Sequence, residues 1–269
     1  MSVRIEKSGS VWTIIHSRPE ARNAMNPESA EALLNAFLDF DSDDTASVAV
    51  LWGEGGAFCS GWDLKVAADL DPADALRDLD PDQATGAPDD EENLPPGPMG
   101  PTRLDLSKPV IAAVAGPAVA GGMELALWCD FRVMEEDAYM GVYCRRWGIP
   151  LIDGGTVRLP RIVGEGRARE IILTGRKVTA TEAERIGLCE YVVESGGARA
   201  KAEELARQIA AFPQECVRAD LYSTKRQRGL SVREGLIQEW ESSFPVLAAE
   251  GISGAGRFRD GAGRHGDGT

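Results

Sequence analysis

Two glycine-rich turns, each at the end of an apolar run, restrict what this chain of 269 residues can become. The first is Ala57-Phe58-Cys59-Ser60-Gly61-Trp62-Asp63-Leu64-Lys65, downstream of Ser47-Val48-Ala49-Val50-Leu51-Trp52. The second is Ala115-Gly116-Pro117-Ala118-Val119-Ala120-Gly121-Gly122-Met123-Glu124-Leu125-Ala126, downstream of Pro109-Val110-Ile111-Ala112-Ala113-Val114. Each run reads as a buried strand, and each glycine turn leads into the start of a helix, the alternation of an α/β fold. Two such strand ends can aim backbone N–H groups at one point. That arrangement suits a reaction that builds negative charge on an oxygen.

Composition narrows the possibilities. A hydrophobic share of 43% supports a packed core, and the length fits one large α/β domain with a helical annex. The apolar runs are short for a transmembrane helix, and Met1-Ser2-Val3-Arg4-Ile5-Glu6 has no apolar signal core, so a cytoplasmic protein with no membrane partner is expected. A formal net charge of -14 argues against nucleic acid as partner, while a phosphorylated small ligand needs only a local basic patch. Cys59, Cys129, Cys144, Cys189 and Cys216 are scattered without a Cys-x-x-Cys pair. They read as buried reduced thiols, with neither a metal site nor a disulfide framework. Neither histidine, His16 or His265, sits near a nucleophile motif. Ser60 lies in Phe-Cys-Ser-Gly-Trp rather than Gly-x-Ser-x-Gly, so a serine triad has no support and Ser60 reads as a small residue permitting close backbone approach.

Along the chain, 3–7 and 11–16 read as paired strands around Ser8-Gly9-Ser10. Asn26 offers an N-cap with Pro27 at the first helical position, and Ala30, Leu33, Leu34, Phe37 and Leu38 recur at helical spacing over 27–40. Further strands are expected at 109–115, 131–134 and 139–141, with a helix at 121–129. Residues 67–106 are acidic and Pro-rich, and read as a mobile surface insertion or, more sharply, a lid. From about 154 the pattern is helical. Thr179-Ala180-Thr181-Glu182 has capping-box spacing, 200–211 and 232–249 form helices, and the Gly-rich tail 254–269 frays. Apolar positions on the C-terminal helices point to a subunit interface.

Several blocks together resemble the enoyl-CoA hydratase/isomerase, or crotonase, superfamily. Phe58 through Lys65 is similar to its Phe-x-x-Gly-x-Asp-(Leu/Ile)-Lys stretch, and Pro109 through Asp130 to its second signature. Arg18-Pro19-Glu20-Ala21-Arg22-Asn23-Ala24-Met25 resembles its CoA-contacting loop. Gly148-Ile149-Pro150 with Gly154-Gly155-Thr156-Val157-Arg158-Leu159, the segment 179–187, and Gly261-Ala262-Gly263-Arg264-His265-Gly266 also fit. The resemblance covers nearly the whole chain apart from 67–106. It implies a crotonase-like spiral of repeated ββα units over 1–195, holding the CoA and acyl site, and a helical trimerisation region over 196–269. It implies an acyl-CoA thioester as substrate and no separate cofactor, coenzyme A being part of the substrate. It also implies a homotrimer or dimer of trimers. The backbone N–H groups of Trp62 and Gly121 would form the oxyanion hole. Arg22, Ala24, Ser60, Asp63, Leu64 and Lys65 fall at substrate- and CoA-binding positions.

Glu124, three residues into the second turn, stands where family hydratases place one of two glutamates that hold the water added across a double bond. By itself it reads more readily as a first-turn acid complementing the helix dipole, and the resemblance reverses that weighting. Aligning Gly148 with Gly154-Gly155-Thr156 puts Cys144 at the second acid position. Asp153 is the substitute acid, where some isomerases and dehalogenases of the family place an aspartate; its other reading is an N-cap of the following helix. Arg145 and Arg146 would neutralise carboxylates, contact ligand or, more commonly for such pairs, sit solvated. Enoyl-CoA hydratase is the leading reading. The alternatives are an enoyl-CoA isomerase using Glu124 or Asp153, a hydrolase- or dehalogenase-like enzyme with Asp153 as nucleophile, and a non-catalytic acyl-CoA binder.

Overall fold

The computed structural model describes residues 2–69, 80 and 96–260. Strands β1 (Val3–Ser8) and β2 (Val11–His16) form a hairpin across Gly9, which turns at φ +60°. From β2 the sheet continues in parallel through β3 (Val48–Gly53), β4 (Val110–Val114), β6 (Phe131–Glu135) and β9 (Tyr191–Val193), in the order β1-β2-β3-β4-β6-β9. A smaller sheet holds β5 (Pro117–Val119), β7 (Tyr139–Gly141) and β8 (Val178–Thr179). The chain passes from the large sheet to the small one and returns through a helix, so strand–strand–helix units succeed one another.

The period of two along a strand separates the two faces of the large sheet. On β3, Ala49 and Leu51 point to the core that contains Leu33, Phe37 and Phe40 of α1 (Pro27–Ser42). Val48 and Val50 point the other way, onto Ala202 and Ala206 of α7 (Ala198–Ala210). Those small side chains let α7 lie close against β2, β3, β4 and β6. The division expected at 195/196 therefore falls just before a helix that belongs with the sheet.

Ahead of α7 along the chain, interspersed with the strands, are α2 (Leu64–Ala67), α3 (Gly121–Trp128), α4 (Gly155–Val163), α5 (Glu165–Thr174) and α6 (Ala180–Arg185). After α7 come α8 (Gln214–Arg226), α9 (Val232–Val246), a wide turn at Leu247–Gly251, and α10 (Ile252–Arg259). The region after 154 is not purely helical, because β8 and β9 each complete a sheet. Both are too short, at two and three residues, to leave a period in the sequence.

Asn26 Oδ1 accepts from the Ser29 N–H at 3.0 Å, and α1 runs to Ser42. Thr179 accepts from Glu182 N, but the Glu182 carboxylate goes to Arg176 rather than back to the cap, so the expected box there is half made. The reciprocal box is at Ser231 and Glu234, opening α9. In place of a frayed segment, 254–259 is helical; 261–269, with His265, lies outside the described residues. Cys216 is exposed, unlike the other four cysteines.

Of the insertion expected over 67–106, residues 70–79 and 81–95 lie outside the described residues. Its end is no mobile surface: Met99 and Thr102 are 1% and 0% exposed. Gly97 and Gly100 close a turn on each other, and Pro101–Arg103 adds a single 3-10 turn. This strap, 97–103, lies against α1 at Ala30 and against the loop before α4.

Candidate active site

The two glycine turns abut. Met25 N donates to Gly61 O at 2.8 Å and Asp63 N to Met25 O at 2.8 Å, which clamps the residues on either side of Trp62. Alternation along this extended stretch directs the Trp62 N–H to the opposite side. Gly61 needs its φ of +93° and its missing side chain, because a Cβ there would lie 2.7 Å from Ala120 Cβ and 3.1 Å from Gly121 N. Ala120 is itself strained, at φ 55° and ψ -129°. Such a non-glycine conformation costs about 1–3 kcal/mol and persists only where surroundings enforce it. Here the enforcing contact is Ala120 N donating to Gly141 O at 2.8 Å. The next amide, Gly121 N–H, opens α3. Among the described residues neither Trp62 N–H nor Gly121 N–H donates a hydrogen bond, and both residues line one pocket.

Glu124 sits in the first turn of α3, lines that pocket and is 3% exposed. Its Oε1 accepts from Gly155 N at 2.8 Å and Asp153 N at 3.0 Å. Burial, helped by the neighbouring Asp153, pushes the carboxyl up to about 7, against the pull of those two N–H groups and Arg158. Among the described residues Oε2 has no donor, so one oxygen is anchored and the other faces the pocket. A carboxyl near 7 is suited to both give and take a proton at neutral pH.

Asp153 also lines the pocket. Its Oδ1 accepts from Met99 N at 3.1 Å and from the Thr102 hydroxyl, and burial raises its carboxyl above the usual range. It does not cap α4: the N-cap is Gly154 at φ 95°, without a side-chain cap. Cys144, in a 3-10 turn over Tyr143–Trp147, reaches the same pocket. Burial and then Glu124 raise its thiol, which stays protonated. The structure thus brings Trp62, Gly121, Glu124, Asp153 and Cys144 to one cavity. Arg145 and Arg146 serve neither carboxylate. Arg145 Nε donates to Ile172 O at 2.6 Å, and the Arg146 guanidinium lies 3.8 Å over the Tyr143 ring.

The expected CoA-contacting residues divide. Arg22 takes the left-handed conformation at φ 52°, Ala24 is buried with its carbonyl accepting from Arg18, and Ser60 Oγ donates to Ala21 O at 3.3 Å. The Asp63 carboxylate is engaged within the protein, by Lys65 N at 3.2 Å and Arg18 Nη2 at 3.1 Å. Leu64 lines the pocket at 38% exposure, and Lys65 is exposed. Sequence reasoning missed Arg18, Met99, Thr102 and Arg158. Met99 and Thr102 fall in the Pro-rich stretch, which has no period to mark them. Among the described residues no group of three or more His, Cys, Asp or Glu could hold a metal.

A sequence model described as enoyl-CoA hydratase/isomerase matches residues 6–91 and 97–239. The chain belongs to that family. It is 36% identical over 253 residues to enoyl-CoA hydratase EchA19 of Mycobacterium tuberculosis, covering 91% of this chain and 88% of that one. It is 37% identical over 236 residues to carnitinyl-CoA dehydratase of Salmonella arizonae, covering 87% and 84%. A crystal structure of an enoyl-CoA hydratase from Bacillus anthracis matches with a TM-score of 0.85 at 30% identity, over 97% of this chain and 96% of that chain. The spiral and its helical C-terminal region are the crotonase fold of the enoyl-CoA hydratase/isomerase family. No described helix is long and apolar enough to cross a membrane.

Proposed function

We propose that this member of the family acts on an acyl-CoA thioester and adds water across a 2-enoyl double bond, or removes it in reverse. One observation carries the reading: two undonated amides, Trp62 and Gly121, and a buried carboxyl poised near 7, Glu124, meet in a single pocket. In the hydration direction, ionised Glu124 takes a proton from water as its oxygen bonds to Cβ. The π electrons move onto the thioester oxygen, where the two N–H groups stabilise the charge; each such donor is worth about 3–4 kcal/mol. Glu124 then returns the proton to Cα and the carbonyl reforms. The second Asp153 oxygen offers the water a further acceptor.

Relatives named as an enoyl-CoA hydratase and a carnitinyl-CoA dehydratase support chemistry of this type. Cys144 favours a second reading, double-bond isomerisation, in which Glu124 alone shuttles a proton. A hydrolytic role for Asp153 has less support, since Met99 N and Thr102 already hold Oδ1. Incubation with a panel of enoyl-CoAs in D₂O, followed by mass and NMR analysis, separates hydration, isomerisation and α-proton exchange. Binding with none of the three would refute an enzymatic role.

Assembly as a homotrimer or dimer of trimers, with no nucleic-acid or membrane partner, is part of the same proposal. It draws on the apolar side chains that α9 and α10 leave exposed, among them Leu236, Trp240, Phe244 and Ile252.

A further inference from the structure

Asp153 acts in two directions at once. Its main chain serves the reacting group, through Asp153 N donating to Glu124 Oε1 at 3.0 Å. Its side chain serves the strap 97–103, through Met99 N at 3.1 Å and the Thr102 hydroxyl. Arg158 ties the two ends together, donating Nη1 to Asp153 O at 2.9 Å and Nη2 to Thr102 O at 2.7 Å. The strap in turn covers the oxyanion turn. A Cβ on Gly121 would lie 2.5 Å from Met99 Sδ, so the thioether occupies the space directly over that glycine. Thr102 is 0% exposed, and among the described residues its hydroxyl donates to Asp153.

We propose that Thr102 is a positioning residue. Its hydroxyl fixes the Asp153 carboxylate beneath the strap, which packs Met99 where a side chain on Gly121 would lie and holds the loop that anchors Glu124. The inference rests on the reading of Glu124 and the two amides given above. The Thr102 hydroxyl favours ionised Asp153, while burial opposes it. Charged Asp153 in turn raises Glu124. The charged or titratable groups facing Asp153 are Glu124 from α3, Arg158 from α4, Arg103 from the strap and the Cys59 thiol from the first glycine turn. With the hydroxyl gone, Asp153 takes up a proton at higher pH and Glu124 titrates lower.

The test compares wild type, Thr102→Ser and Thr102→Val, with Thr102→Ala as substitute if the valine variant does not fold. Initial rates on an enoyl-CoA substrate are measured from pH 5 to 9, with amide exchange at Met99 and calorimetric binding of a saturated acyl-CoA. Thr102→Val is expected to lower kcat about tenfold, the scale of one lost bond to a charged acceptor, with a smaller change in KM. Its acid-side activity limb moves to lower pH, and Met99 exchanges faster. Thr102→Ser restores all three. Wild-type kcat and limb in the valine or alanine variant, or failure of serine to rescue, overturns the inference. Absence of turnover by wild type would instead refute the proposed function, and Met99 exchange, faster in the valine variant and restored by serine, would still decide the role of Thr102.

Discussion

Glu124 is held by two main-chain donors in a site that disfavours its charge, so its chemistry and its cost to the fold have one origin. Glu124→Gln is expected to lower turnover at least about a hundredfold, the usual scale for loss of a general acid–base group, while acyl-CoA binding persists in calorimetry. The stability effect has the opposite sign. The folded carboxyl titrates at about 7 against an ordinary 4.5, so the folded state holds a proton that the unfolded chain releases. Wild type therefore loses relative stability as pH rises from 4.5 to 7, by about 3 kcal/mol in the limit. Glu124→Gln should raise the urea midpoint at pH 8, with the gain shrinking toward pH 5; an equal gain at both would exclude ionisation as its cause. Between the two other acid-position candidates, Asp153→Asn should reduce activity and Cys144→Ala should leave it near wild type, because Cys144 stays a protonated thiol. Steady-state kinetics reversing that order would move the second role to Cys144.

At the scale of elements, the site depends on two turns touching. Gly61→Ala places a Cβ against Ala120 in a φ range that L residues avoid. It should destabilise by about 1–3 kcal/mol and depress kcat, through separation of the Trp62 and Gly121 amides, readable by chemical denaturation and kinetics. Strand β2 carries a second cost. His16 is 1% exposed, and among the described residues neither ring nitrogen has a hydrogen-bond partner. Burial, then Arg18, lowers its pKa from 6.5 to about 4. The unfolded chain therefore binds a proton that the fold refuses, and stability present above pH 6.5 is lost as pH falls toward 4. His16→Leu should flatten that part of the pH–stability curve; an unchanged acid slope in circular dichroism melts would assign it to other groups.

At the scale of the molecule, apolar side chains follow one another along α9 and α10, exposed among the described residues. Trp240 and Phe244 stack at 5.2 Å between ring centroids while 60% and 51% exposed. An aromatic pair left in water on an otherwise acidic chain fits the proposed self-association. A Trp240→Glu, Phe244→Glu double variant should run as a smaller species by light scattering, with the sheet signature intact. Wild type measured as a monomer would remove the assembly proposal.

Local chemistry made much of this legible. Buried strands announce themselves as short apolar runs, Asn26-Pro27 starts a helix by its own hydrogen bonding, and left-handed turns ask for glycine, so β1, β2, β3, β4, β6 and β7, α1, the two turns and the first-turn Glu124 could be read from the chain, while β5, β8 and β9 could not. Contacts between distant segments leave no such trace. That α7 closes the sheet, that β9 forms its edge, and that Thr102 reaches Asp153 across 51 positions are decided by packing. The shift of Glu124 to about 7 belongs to the same class, because dielectric burial and a neighbouring carboxylate exist only once the elements have closed around it.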